Sequence, residues 1–173
     1  MPRGQGDVGT YPAVVNVLIR PFRIQDAAAL ADVMFASVHQ AALRDHTPEQ
    51  VAAWLPERPA VASMAGRASD GRFTLVACAD DGRVVGYIDL EQDGHIDHFY
   101  CMPEAVGCGV GAKLYDAVER VAEICGLHKL FVEASEAARR LFEKKGFVLN
   151  DRCEWELRGV LIHNYAMSKD LVR

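Results

Sequence analysis

Three glycines at alternate positions, Gly107, Gly109 and Gly111, stand between a short β-rich segment ending at Cys101 and a stretch of helical periodicity. This junction constrains the chain more than any other feature. Over residues 111–124, Leu114, Tyr115, Val118, Val121 and Ala122 recur at helical spacing, and Gly126 closes the run. A helix that starts on small residues presents unpaired backbone N–H groups and the positive end of its dipole to whatever lies in front of it. The pattern therefore predicts an anion site, most naturally for a phosphate group.

The flanking patterns place that junction in an α/β domain. Residues 15–20 are apolar and partly β-branched, bounded by Pro21, and predict a strand. Residues 24–42 carry helical spacing, with Asp26 near the start as a cap. Thr47-Pro48-Glu49-Gln50 combines a Thr cap, Pro at the first helical position and Gln three residues on. Another helical piece is predicted over 59–67. Then the period changes. Two β-rich runs, 73–79 and 84–90, flank Asp80-Asp81-Gly82-Arg83 as a hairpin. One strand is predicted over 95–101, another over 129–134, a short helix over 136–145, and a final pair over 147–156 and 160–169. Hairpins require antiparallel pairs and strand–helix–strand units favour parallel ones, so the sheet is mixed, with helices on its faces. Residues 1–14, rich in Gly and Pro, predict a loose arm, and 15–173 a single domain.

Composition removes whole classes of function. A net charge of −5 argues against a nucleic-acid binder that relies on a basic face, while leaving room for a local basic pocket around a phosphate. No apolar run reaches about 18 residues, so no membrane span is expected. The first residues lack the apolar core of a signal peptide. Five cysteines without a CxxC pair predict neither a zinc cage nor a disulfide scaffold, but free thiols in a cytoplasmic protein.

Two phosphate ligands fit the glycine loop. Gly107-x-Gly109-x-x-Ala112 matches a dinucleotide fingerprint, with Glu133 in the place of the ribose-binding acid. Against it, residues 102–106 separate the strand from Gly107, and nothing upstream repeats as a parallel βαβ half. The alternative rests on two motifs. Phe99-Tyr100-Cys101-Met102-Pro103-Glu104 running into Gly107-x-Gly109-x-Gly111, followed by Ala137-Ala138-Arg139-Arg140-Leu141-Phe142-Glu143-Lys144-Lys145-Gly146-Phe147, resembles the two hallmarks of the GCN5-related N-acetyltransferases, the GNAT superfamily. The resemblance spans 17–171. Ser37-Val38-His39, Pro48-Glu49-Gln50, Ala53-Trp54-x-Pro56, Ile96-Asp97 and Arg158-Gly159-Val160 with Asn164-Tyr165-x-Met167 resemble the YafP-like bacterial branch.

That resemblance implies strands splayed around acetyl-CoA and direct acetyl transfer to a primary amine whose identity it does not specify. It implies that backbone donors from Val106, Gly107, Cys108, Gly109, Val110, Gly111 and Ala112 hold the pyrophosphate. Phe99, Tyr100 and Cys101 would pair with the pantetheine arm as an added strand, and the Phe99 or Tyr100 N–H would polarise the thioester carbonyl. Ala134, Ser135, Ala138 and Phe142 would line the pantetheine and thiol side. Two departures stand out. Val106 replaces the Gln or Arg common at the loop's start, leaving Lys113, Arg139, Arg140 or Lys144 to supply a phosphate contact. Phe142 occupies the place of a tyrosine general acid, and phenylalanine has no proton to give. Tyr165, Tyr100, solvent or the protonated amine itself would then protonate the thiolate, or the chain binds CoA without turnover.

An amine acceptor must lose a proton, so a base near the acyl group is needed. Asp97 is the first candidate and His95 the second. Strand alternation over 95–101 would put His95, Asp97 and Phe99 on one face and Ile96, His98 and Tyr100 on the other, which also argues against a metal on His95-x-Asp97-His98. His39, Trp54 and Trp155 are candidate acceptor contacts. Asp89 and Glu91 read either as an acidic mouth suited to a cationic amine or as the wet face of a hairpin. Exposed edge strands leave room for a homodimer.

Overall fold

The computed structural model describes residues 16–171. The arm read over 1–14, and the strand start at Val15, lie outside the described residues. The β-rich runs form β1 (Val17–Pro21), β2 (Phe73–Ala79), β3 (Val84–Leu90), β4 (His95–Ile96), β5 (Phe99–Cys101), β6 (Lys129–Ala134), β7 (Val148–Leu157) and β8 (Val160–Asp170). They make two four-stranded halves, ordered β1-β2-β3-β5 and β4-β6-β8-β7. β4 and β6 pair in parallel, and the other pairs among the described residues are antiparallel. The sheet is mixed, as expected. β7 is an outer edge, most of whose ten residues are exposed.

The helical runs form α1 (Ala27–Ala36), which continues through a π turn and a 3-10 turn to Arg44, then α2 (Pro48–Trp54), α3 (Val61–Ala68), α4 (Val110–Ile124) and α5 (Glu136–Lys144). β2 and β3 are buried on both faces, so each reads as a continuous apolar run rather than an alternation. On one face Leu30 and Val33 of α1 and Met64 of α3 pack on Val76, Cys78 and Tyr87. On the other, Leu114, Tyr115 and Val118 of α4 and Phe142 of α5 pack on Leu75, Ile88, Ile96, Leu130 and Met167. Among the described residues no helix is long and apolar enough to cross a membrane.

The capping box at Thr47 forms. Gln50 N–H donates to Thr47 Oγ1 at 3.2 Å, and Thr47 N–H donates to Gln50 Oε1 at 3.0 Å. Asp26 closes the start of the helical run, in a capping box on the 3-10 turn Ile24–Asp26 that leads into α1, and it also makes an ion pair. Its buried carboxylate accepts both Arg20 guanidinium nitrogens, at 2.7 and 2.9 Å, and the Arg23 N–H. The Arg20 hydrogen bonds outweigh burial and hold this carboxyl below its ordinary value.

The strand predicted over 95–101 is broken. β4 belongs to one half-sheet and β5 to the other. The expected alternation fails across the break. Ile96 joins Phe99 and Cys101 against the α4–α5 core, whereas Tyr100 packs with Tyr87 against the α1–α3 core. Asp89 makes the break. It is 1% exposed, so it is not on a wet face. Its Oδ1 accepts the N–H groups of Asp97 and His98 at 3.2 and 2.9 Å, which a ladder partner would otherwise take. Its Oδ2 accepts Arg67 and Arg72. The two half-sheets therefore part at Asp97-His98.

Candidate functional site

Parting the sheet leaves two strand edges without partners. β5 pairs with β3 on one side only. β4–β6 pairing stops at Ile96–Val132, so Glu133 and Ala134 continue with β8 alone. Beside the free edge of β5 runs a cleft of about 560 Å³. One wall is β5, the second the glycine loop, the third α5, and the fourth the end of the first helix with Trp54.

The loop end suits an anion. After β5 a 3-10 turn, Pro103–Ala105, leads to Gly109, the N-cap of α4, which has no side-chain cap. The first-turn amides of α4 thus lack a side-chain partner. Gly107 and Gly109 have φ of +79° and +81°, a region that side chains other than glycine's resist, and a Cβ at either would meet nothing within 4 Å. Both glycines are there for backbone shape, with open space in front. Gly111 differs. A Cβ there would come within 3.1 Å of Phe99 Cζ, so the third glycine serves the packing of α4 on β5. Gly107, Gly109, Gly111, Ala112 and Val106 line the cleft, while Cys108 and Val110 do not. The Cys108 thiol turns back to the Glu104 carbonyl, and Val110 is buried in the core. Of the cationic candidates, Arg140 and Lys144 line the cleft, joined by Arg44. Arg140 also bridges it to Asp45 at 2.7 Å. Arg139 and Lys113 face elsewhere.

At the other end lie Phe99, Tyr100, Cys101, Ser135 and Ala138. Ser135 Oγ accepts the Ala138 N–H and caps α5. Burial pushes the Cys101 thiol up to about 12, which keeps it a neutral wall. Phe142 and Ala134 lie behind the wall. Phe142 is fully buried, and its ring stands edge-on to Phe99, Tyr115 and Phe147.

The residues expected to move protons do not meet here. Asp97, His95 and Tyr165 are absent from the cleft lining. Asp97 pairs with Arg67 and, at 3.6 Å, with Arg72. Burial alone would raise its carboxyl, but the hydrogen bond and charge of Arg67 hold it below its ordinary value. His95 stacks on Phe131 and pairs with Glu133 at 2.6 Å. Burial would lower this ring, and Glu133, Asp97 and Glu91 together raise it. Tyr165 donates its hydroxyl to Glu136 at 2.5 Å beneath the Arg139 guanidinium. Of the expected acceptor contacts, Trp54 lines the cleft. His39 binds the Leu55 carbonyl, and Trp155 lies on the outer strand β7. Among the described residues no group of three His, Cys, Asp or Glu could hold a metal ion.

Sequence reasoning missed His46. It lines the cleft beside Asp45 and Trp54, and its Nε2 is buried without a hydrogen-bond partner. No spacing pattern marks it, because the turn that aims it lies between two helices.

The chain matches the model of the acetyltransferase (GNAT) domain over residues 42–169. It is similar to a GCN5-related N-acetyltransferase (aminotransferase, class-II) from Rhodopseudomonas palustris, with 35% identity and a TM-score of 0.81 over 90% of this chain and 96% of that one. An uncharacterised N-acetyltransferase of Mycobacterium tuberculosis is 27% identical over 85% of this chain and 99% of its own. YncA from Salmonella typhimurium, solved with its cofactor acetyl-CoA, shares the fold at 22% identity, with a TM-score of 0.73 over 91% of this chain and 95% of that one.

Proposed function

The chain belongs to the acetyltransferase (GNAT) family, and from that premise we propose that it moves an acetyl group from acetyl-CoA directly to a primary amine. The observation that carries this reading is the uncapped start of α4, with Gly107 and Gly109 leaving open space before it, at one end of a cleft walled by an unpaired strand edge. The two ends suit the two ends of the donor. Loop amides and the helix dipole bind pyrophosphate, with Arg44, Arg140 and Lys144 adding charge where Val106 adds none. The free edge of Phe99–Cys101 receives the amide-bearing pantetheine arm as an added strand. A strand N–H at Phe99 or Tyr100 stabilises the charge that develops on the thioester oxygen.

Asp97 and His95 take a different part in this reading. A carboxylate held by two guanidinium groups is a weak base, and both residues serve as positioning residues at the parting of the sheet. Tyr165 likewise orients Glu136. Trp54 supplies the acceptor wall. Within the family we assign the chain to the YafP-like bacterial branch on its sequence segments alone. Five free cysteines support a reducing, cytoplasmic setting. The exposed outer strand β7 supports pairing of two copies.

Calorimetric titration with acetyl-CoA, CoA and NAD(H), followed by thiol release against a panel of amines, tests the proposal. Binding of acetyl-CoA with amine-dependent thiol release is expected. Binding without release favours a regulatory CoA-binding module, and binding of NAD(H) alone favours the dinucleotide fingerprint.

A further inference from the structure

We propose that His46 takes the proton from the incoming ammonium group, a reading that rests on the acetyl-transfer proposal above. His46 sits where the 3-10 turn after α1 gives way to α2, and its N–H donates to the Ala42 carbonyl at 2.9 Å. This bond sets the backbone that aims the ring at the cleft. Lining the same cleft are Trp54, edge-on to the ring at 6.2 Å, and Phe99, Tyr100 and Ser135. The strand edge assigned to the thioester and the His46 ring thus share one cavity.

The orphan Nε2 is the main observation. Buried polar atoms in folded proteins nearly always have partners, and one without is destabilising. His46 lines the cleft, so a turn of its ring would bring this unpartnered nitrogen to an N–H donor on a bound molecule. The groups around it suit a ring that takes up and passes on a proton. The His163 ring lies 5.6 Å away. Its Nε2 is 3.7 Å from Glu136 Oε2, which also accepts the Tyr165 hydroxyl. Arg139 covers the Tyr165 ring and pairs with Glu143. Glu136 is therefore a fixed anion beyond His163, held in place from two sides.

Protonation favours the role. Burial lowers the His46 ring most, and His163 adds to it, against Asp45, Gln50 and Glu136, which pull the other way. The ring is neutral at pH 7 and free to accept. His95 and Asp97 do not line this cleft, and Asp97, lowered by its arginine, is in addition a weak base.

The step balances. One N–H bond of the ammonium breaks and its proton goes to His46. The freed lone pair attacks the thioester carbon, a C–N bond forms and the C–S bond breaks. A second proton from the same nitrogen leaves with the thiolate, giving the thiol, and the third stays in the amide. The imidazolium then returns its proton to solvent, its charge stabilised by Asp45 and Glu136 and opposed by His163, which favours release.

The test compares two amines on wild type and His46→Gln. A primary alkylamine such as butylamine is protonated at pH 7, whereas trifluoroethylamine is already neutral. The substitution should lower turnover of butylamine about 100-fold or more, leave trifluoroethylamine within about threefold, and leave acetyl-CoA affinity unchanged. Equal loss with both amines, or loss with neither, overturns the proposal. If His46→Gln does not fold, His163→Gln decides. Removing that neighbour should move the acid limb of the wild-type pH profile to higher pH, and an unmoved limb overturns the proposal. A wild type that binds no acetyl-CoA, or releases no thiol with either amine, overturns the transferase reading instead.

Discussion

Gly109 offers a test in which one substitution should act with opposite signs on stability and binding. Its φ of +81° is kept by any replacement that keeps the loop, at a cost of about 1–2 kcal/mol for an L side chain. No atom lies within 4 Å of a Cβ built there, so that cost is conformational and not steric. Gln and Glu share it. Their difference is one charge at the start of α4. In the free protein a carboxylate there interacts favourably with the helix dipole by about 0.3–1 kcal/mol, so Gly109→Glu should unfold at a urea midpoint no lower than Gly109→Gln. Toward CoA the sign reverses. Two like charges about 4 Å apart repel by about 1 kcal/mol in water and about 4 kcal/mol at an effective dielectric near 20. The Glu variant should therefore bind CoA roughly 5- to 1000-fold more weakly than the Gln variant. Added salt should narrow that gap. Calorimetry on both variants at two ionic strengths reads the difference. Equal affinities, insensitive to salt, would show that no anion sits at this loop.

Further predictions concern the frame of the site. Asp89→Asn leaves Arg67 and Arg72 facing an amide in a buried position, and should destabilise the protein by about 3–5 kcal/mol in urea melts; a loss below about 1 kcal/mol would remove Asp89 as the group that parts the sheet. Phe142→Ala opens a cavity behind Phe99, and a loss of about 3–5 kcal/mol is expected, together with weaker acetyl-CoA binding in calorimetry. His98 is kept neutral, its pKa lowered to about 4 mainly by burial and then by Arg67, while its Nδ1 meets the Tyr87 hydroxyl at 3.0 Å. Its folded pKa lies below the unfolded one, so the unfolded chain binds more protons between about pH 4 and 6.5. Stability should fall by up to about 3 kcal/mol as pH drops through that window, and His98→Gln should flatten the fall. An unchanged slope in the variant would assign the acid sensitivity to another group.

Much of this arrangement was legible in the sequence because it depends on local chemistry. The glycine spacing located the start of α4, Thr47 with Gln50 located α2, and the β-rich runs located β2, β3 and β6. What was hidden depends on partners far along the chain. Asp89 looks like one carboxylate of an alternating hairpin, yet its job is set by amides eight and nine residues on and by two arginines from another segment. The break in the strand over 95–101 follows from those bonds, and with it the reversal of which side chains share a face. The same limit applies at the cleft. Trp54 was named by position, but His46 is brought beside it by the turn after α1, against a histidine that arrives from β8. Asp26 combines both levels, since its carboxylate closes the helix start at the Arg23 N–H and also binds an arginine six positions earlier.

The most direct test of the central claim is thiol release from acetyl-CoA by the wild-type protein, measured as primary amine is added. Release should rise with amine concentration, saturate, and be matched mole for mole by N-acetylated amine. Release that stays at the rate of spontaneous hydrolysis, while acetyl-CoA is bound, would contradict it.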